Sequence, residues 1–290
     1  MKRRKNNIEA VVYGIFLICG LITIAAVLLI SIYLIISGIP AIRKIGLIEF
    51  LTGDTWQSTG AEVKFGLLPF ILTSVYGTAG AVAIGAPVGF FTAVYLSKLA
   101  PKKVKTAVET AVSLLAGIPS VVYGLVGMLV LVPAIRNIFG VSDGAGLLAA
   151  IIVLAIMSLP SIIKVALNAL DAVPKEYEEA SMALGATPVE TYFKVSVPAA
   201  RSGIAAAVVL GVGRAIGEAM AVMMVSGNSP NMPSLFQSVR FLTTAVASEM
   251  SYASGLQRQA LFSIALVLFL FIMLINASLN FFLKRDKSKG

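Results

Sequence analysis

Five apolar stretches of this sequence, 10–42, 65–97, 110–135, 144–163 and 259–283, run for twenty residues or more without one charged side chain. Crossing roughly 30 Å of hydrocarbon takes about 20 residues of helix. A sixth stretch, 202–226, is equally apolar except for Arg214 and Glu218 near its middle. The pattern predicts an all-α polytopic membrane protein with six transmembrane helices, at about 10–38, 66–97, 108–135, 145–170, 202–226 and 259–283. Composition agrees: 58% of the 290 residues are hydrophobic and 13% charged, against about 25% charged in an ordinary soluble domain. Charge so sparse cannot coat a soluble globule. The run that follows Lys2, Arg3, Arg4 and Lys5 imitates a secretory signal, but it stays uncharged for more than twice the ~7–15 residues of a signal's apolar core. It is read as the first span.

With six spans both termini fall on one side, and basic residues can be counted by side. Of the 23 lysines and arginines, sixteen fall with the termini: four in 2–5, four in 98–105, Lys164, Lys175, Lys194 and Arg201, and four in 284–289. Arg43, Lys44, Lys64, Arg136, Arg240 and Arg258 fall on the other side, and Arg214 lies within the membrane. The excess predicts a multi-pass protein of the plasma membrane with both termini cytoplasmic, residues 1–9 forming the N-terminal tail and 10–290 a single transmembrane domain. The net charge of +9 is then topological. A nucleic-acid binder would gather its charge on one face, so no nucleic-acid partner is expected. One cysteine and no histidine argue against a disulfide scaffold, a metal site and a Ser-His hydrolase.

Pro87, Pro119, Pro133 and Pro160 interrupt apolar runs, and Gly77, Gly80, Gly85, Gly89, Gly117, Gly124 and Gly127 add small faces. Close helix packing explains them, and so does a pathway lined by kinked helices; the two are compatible. The segment 171–201 is too polar to span and too patterned for a linker. Pro174 suits a first helical position, with Glu176, Glu178 and Glu179 in the turns where acids complement the helix dipole. Gly185 supplies a stop. Thr187-Pro188-Val189-Glu190 then reads as an N-cap, a first-position proline and a capping-box glutamate. Two short helices bent at glycine are expected on the cytoplasmic face, the second running to about Val197 and ended by Pro198.

Glu179-Ala180-Ser181, three residues, Gly185, nine residues and Val195-Ser196-Val197-Pro198 resemble the EAA loop of ABC importer permeases, EAA-x3-G-x9-I-x-L-P. Ser181, Val195 and Val197 are conservative departures from that pattern. The resemblance implies that this pair of helices docks into a cytoplasmic ATPase subunit and transmits its nucleotide-driven movement, with Glu178, Glu179, Ala180, Ser181, Gly185 and Pro198 as the coupling loop. The chain has no G-x-x-x-x-G-K-[ST] run of its own. Energy must come from another chain.

Arg214 and Glu218 are the only charges deep within an expected span. At i and i+4 on one helix face they form either an internal ion pair that locks packing or a border of the translocation path, where the guanidinium offers charge-assisted contacts to an oxyanion. Gly213-Arg214-Ala215-Ile216-Gly217-Glu218 with 219–222, Leu115-Ala116-Gly117-Ile118-Pro119-Ser120 with 121–124, and Phe65-Gly66-Leu67-Leu68-Pro69-Phe70 are similar to phosphate ABC importer permeases of the PstC type. This likeness runs from about residue 51 through the last span. It implies a permease for inorganic phosphate working by alternating access beside a second permease subunit, a PstA-type paralogue. Two cytoplasmic ATPase subunits that bind ATP-Mg and an external or periplasmic phosphate-binding protein complete the assembly, and no cofactor sits in this chain. It also carries a role in transport onto Arg214 and Glu218. A permease for sulfate or molybdate and an ion-coupled secondary transporter are the alternatives. An intramembrane enzyme is disfavoured, since no histidine and no second intramembrane carboxylate complete an acid/base pair.

The segments 40–64 and 227–257 are expected outside, with Trp56 as an interfacial anchor or a contact for the binding protein. Residues 228–233 read as a turn. Asn276-Ala277-Ser278 matches a glycosylation triplet but falls within span six.

Overall fold

A computed structural model describes residues 2–58 and 63–287, with side chains described at 9, 12–58 and 63–278. The basic residues of 2–5 and 284–289, on which the orientation count leans, lie outside the described side chains. The chain is helical almost throughout. Five helical segments are long and apolar enough to cross a membrane, and Arg201–Gly217 counts as a sixth only when joined to Pro188–Ala199, from which it is bent by 72°.

Helix α7 (Leu147–Asp171) runs through the middle of the bundle with most of its apolar side chains buried. Lipid is as apolar as leucine, so helices associate by fit rather than by escape from water. Helix α3 (Leu68–Val94) achieves that fit with glycines: a Cβ added at Gly85 would lie 2.8 Å from Ser158 Oγ, and one at Gly89 2.7 Å from Ile162 Cγ2. From the other side, Gly211 of α11 (Arg201–Gly217) leaves room for the same Ile162, at 2.7 Å from its Cδ1. The expected small faces are packing faces here. Helix α1 (Lys2–Ile45) instead rests on α14 (Gly255–Lys287), where buried Ser263 donates to the Gly38 carbonyl, and most of its length is bare.

The third expected span, 108–135, is divided. Helix α4 (Lys102–Gly117) ends at a break, and a new helix runs through α5 (Ser120–Val126), a π-helical turn (Gly127–Leu131) and α6 (Val132–Phe139). Pro119 has no N–H and forces Ile118 into extended backbone, ψ 128°. The Leu115 carbonyl this frees accepts from Ile118 N–H at 3.2 Å and from the Tyr123 hydroxyl at 2.8 Å. The apolar span is therefore 120–139, and α4, carrying Lys102, Lys103, Lys105 and Glu109, packs against α7.

Three π-helical turns occur among the described residues, Tyr95–Leu99, Gly127–Leu131 and Tyr192–Ser196, and each ends two residues before a proline: Pro101, Pro133 and Pro198. A proline ring collides with the carbonyl four residues earlier. In all three places that carbonyl lies inside the widened turn; at Pro133 and Pro198 the helix continues through the proline, whereas before Pro101 it has already ended at the extended Ala100. Pro198 consequently does not end its helix as expected; α10 (Val197–Ala199) carries it, and the chain bends by 72° before α11.

At the end of the bundle opposite 171–201, α2 (Leu47–Thr52) and a hairpin, β1 (Trp56–Gln57) antiparallel to β2 (Lys64–Phe65), pack with α13 (Leu242–Glu249) and α14. Residues 40–45 extend α1, and α13 is a packed helix rather than an outer loop: Leu242 and Ala245 are buried, and Leu242 N–H donates to Ser74 Oγ of α3. Trp56 is not an anchor in lipid. It is buried between Phe65 and Phe70 and donates through Nε1 to Glu249 at 3.3 Å. Glu249, 5% exposed, also accepts from Arg240 and Gln257, while Arg240 donates to the Asn228 carbonyl and lies 5.8 Å from the Phe70 ring centre. Glu249→Ala leaves Arg240 buried without its counter-ion and is expected to cost about 3 kcal/mol. A thermal melt of the detergent-solubilised protein measures this, with Glu249→Gln falling between wild type and Glu249→Ala; an unchanged melt refutes the cluster's structural weight.

Candidate translocation cleft and coupling loop

Helix α11 stops at Gly217. Glu218 adopts extended backbone (φ −74°, ψ 131°) and α12 (Met220–Val225) begins after it. A break at membrane depth leaves backbone groups without partners, and in lipid each must be satisfied by protein or face a cavity. Glu218 does much of this itself. Its Oε1 accepts from Ala221 N–H at 3.1 Å, in the first turn of α12, and its carbonyl accepts from Thr243 Oγ1 of α13 at 2.8 Å. The i, i+4 geometry expected for Arg214 and Glu218 is thereby lost, because the second residue lies beyond the helix end. Among the described residues no ion pair joins them.

Arg214 faces elsewhere. It lines an open cleft of about 460 Å³ with Ser161 of α7, Ala206, Val209, Leu210 and Gly213 of α11, and Asn276 of α14. Its Nε is buried with no acceptor, and Ser161 and Asn276 make no hydrogen bond among the described residues. A guanidinium has five donors and no acceptor, and a charge at membrane depth is tolerated against protein or water. With no protein carboxylate to hold, a cation beside a hydroxyl and an amide in a cleft of this size is suited to a small oxyanion. Sequence reasoning singled out Arg214 but not its neighbours. Ser161 is an ordinary serine in an apolar helix, and Asn276 stood out only for a triplet unrelated to the cleft.

The 171–201 segment forms α8 (Lys175–Ala183), a turn, and α9 (Pro188–Thr191) running through the π-helical turn into α10. Gly185 has φ +91°, a left-handed conformation that costs glycine least. Thr187 and Glu190 make the capping box: Glu190 N–H donates to Thr187 Oγ1 at 3.3 Å and Thr187 N–H to Glu190 Oε2 at 3.1 Å. The Thr187 backbone, its hydroxyl and then Lys194 hold the Glu190 carboxyl below its usual range. The box is thus kept as pH falls through ordinary carboxylate values, and is lost only below them.

Two of the loop residues are internal joints. Glu178 accepts from Lys98 Nζ at 2.6 Å and from Ser196 Oγ at 2.8 Å, which ties α8 to the π-helical turn after α3 and to the one after α9. Ser181 and Thr191 share a hydrogen bond of 2.9 Å across the bend. Glu179, Ala180, Gly185 and Pro198 are exposed. So are five apolar side chains spread over the loop, together its apolar crown, that sequence reasoning did not isolate: Leu184, 91% exposed, and Tyr177, Met182, Val189 and Phe193. Substituting Gly185 by alanine meets nothing within 4 Å, so its effect is purely conformational, about 1 kcal/mol.

Residues 85–286 match the family described as binding-protein-dependent transport system inner membrane component. The chain is 42% identical over 267 residues to the probable ABC transporter permease protein YqgH of Bacillus subtilis, spanning 89% of this chain and 86% of that protein. It is 33% identical over 298 residues to the phosphate transport system permease protein PstC of Haemophilus influenzae, spanning 96% and 93%. Among solved structures, an inward-facing form of the MetNI methionine ABC transporter superposes with TM-score 0.60 at 22% identity, covering 76% of this chain and 97% of that one. That likeness concerns the fold.

Proposed function

Because the chain belongs to the family of binding-protein-dependent transport system inner membrane components, we propose that it is the permease subunit of an ATP-driven importer that carries inorganic phosphate into the cytoplasm by alternating access. The observation that carries the substrate is the unpaired Arg214 guanidinium over a cleft lined by Ser161 and Asn276, in a chain similar over nearly its whole length to a phosphate transport permease. Members of this family work with ATPase and substrate-binding partners. Here the partners are a second permease subunit, a PstA-type paralogue, two cytoplasmic ATPases holding ATP-Mg, and an external phosphate-binding protein. Both termini and the 171–201 loop are cytoplasmic in this reading, and the chain carries no cofactor and performs no covalent chemistry.

Glu218 adds a basis for selectivity. One carboxylate oxygen caps α12, and the other has no partner among the described residues. Hydrogen phosphate keeps a proton near neutral pH and sulfate does not. Glu218 does not line the Arg214 cleft, but on a route that passes the break between α11 and α12 its free carboxylate oxygen favours the ion that can donate and repels the one that cannot. Glu218→Gln keeps the cap but removes the charge, and is expected to narrow the preference for phosphate over sulfate.

Uptake of labelled phosphate into vesicles holding the complex and ATP, with phosphate-dependent ATP hydrolysis, tests the reading. Uptake driven by an ion gradient without ATP overturns the importer, and preference for sulfate or molybdate overturns the substrate. The apolar crown supports docking onto the ATPase: Leu184→Asp adds a charge to a surface that must desolvate on binding. The expected outcome is loss of about 2 kcal/mol, near 30-fold in affinity, read by co-purification, with the melting temperature of the permease unchanged.

A further inference from the structure

We propose that the exposed face Ser161, Lys164 and Asn168 of α7 is the cytoplasmic exit wall for the transported oxyanion, with Lys164 as a second cationic station after Arg214. The inference rests on the transport reading and extends it from one cleft to a route. The three positions are spaced i, i+3 and i+7, so they share one side of the helix. Ser161 is half-buried and lines the Arg214 cleft, whereas Lys164 and Asn168 are exposed and line a separate cleft of about 270 Å³ with Glu109, Val112 and Ser113 of α4. About 4.5 Å of helix rise separates Ser161 from Lys164. The two clefts thus follow one another along one side of α7, the second lying nearer Asp171 and the coupling loop.

Charge bookkeeping on this face isolates Lys164. Asp171, at the end of the same helix, is held by Lys105 at 2.7 Å and by Ser97 at 2.6 Å. Glu109, which faces the cleft from α4, has Lys105 at 4.0 Å. Lys98 is taken by Glu178. Lys164 has no partner among the described residues, although it stands seven residues, about 10 Å, above the last residue of α7. A lysine there, in a largely apolar helix, faces a water-filled path or reaches for phospholipid headgroups. The polar residues one turn to either side and the facing Ser113 favour the path. An ammonium without a fixed counter-ion can take up an anion handed on by Arg214 and release it, since a single such contact in a wet cleft is weak.

The test uses the complete transporter in vesicles, with Cys19, the chain's only cysteine, replaced by serine and Lys164→Cys introduced. An aqueous anionic methanethiosulfonate reagent offered from the cytoplasmic side is expected to label this cysteine, and inorganic phosphate to slow the labelling. In parallel, Lys164→Gln should lower phosphate uptake about tenfold and Lys164→Arg restore most of it. Labelling by a membrane-soluble maleimide alone, indifferent to phosphate, assigns Lys164 to the headgroups and overturns the exit wall, as does wild-type uptake by Lys164→Gln. Failure of wild-type vesicles to take up phosphate sinks the transport reading itself. Normal wild-type uptake beside an unlabelled, phosphate-indifferent Lys164→Cys sinks the exit wall alone.

Discussion

Arg214→Gln is expected to lower phosphate uptake by about 10- to 100-fold, the loss of one charge-assisted contact to a transported anion, while the complex still assembles. The structure makes the experiment interpretable. Were Arg214 paired with Glu218, its removal would strand a carboxylate in the membrane and confound transport with folding. It is not paired, its Nε has no acceptor, and Glu218 is engaged with Ala221 N–H instead. The glutamine therefore disturbs no protein partner among the described residues. Arg214→Lys keeps the charge but not the planar fork, and should retain intermediate uptake with a weaker apparent affinity. Wild-type uptake by an assembled Arg214→Gln complex would reduce Arg214 to a packing residue.

The second large effect falls on the coupling loop. Glu178→Ala removes the counter-ion of Lys98, whose side chain is 10% exposed, and the acceptor of Ser196. Losing one partner of a largely buried pair costs about 3 kcal/mol, here in the joint where α8 meets both π-helical turns. The permease should melt earlier. Its crown at Leu184 is untouched, so ATPase subunits should still bind, but phosphate moved per ATP hydrolysed should fall because the loop no longer moves α3 with it. Exchanging the charges, Lys98→Glu with Glu178→Lys, should recover part of the loss, and a double-mutant cycle then gives the coupling between the two residues. Unchanged melting and unchanged transport per ATP in Glu178→Ala would remove Glu178 from the transmission path.

The elements that sequence reasoning located well are those specified by neighbours in the chain. The bend at Gly185 and the cap at Thr187 and Glu190 need only residues three or four apart, and both stand where expected. The misreadings have a common cause. Trp56 looked like an interfacial anchor because its partner Glu249 lies 193 residues away, and nothing near Trp56 announces it. Residues 202–226 looked like one helix because hydropathy does not register a break whose carboxylate caps the next segment and whose carbonyl is met by Thr243. Pro198 was read by the ordinary rule that proline stops a helix, whereas a π-helical turn ahead of it relieves the clash that makes the rule. Pro119, with no such turn, does break its helix and divides the third stretch.

Hydropathy by itself determined that the chain is a membrane protein with five or six apolar segments long enough to span, and that Arg214 is out of place among them, since the free energy of placing a side chain in lipid is nearly a property of that residue alone. The tertiary structure decided which polar groups are satisfied and which are left open: Glu178 taken by Lys98, Glu249 by Arg240, Glu218 by the first turn of α12, and the side chains of Arg214, Ser161 and Asn276 by nothing in the described chain. Pairing depends on distances between segments remote in sequence.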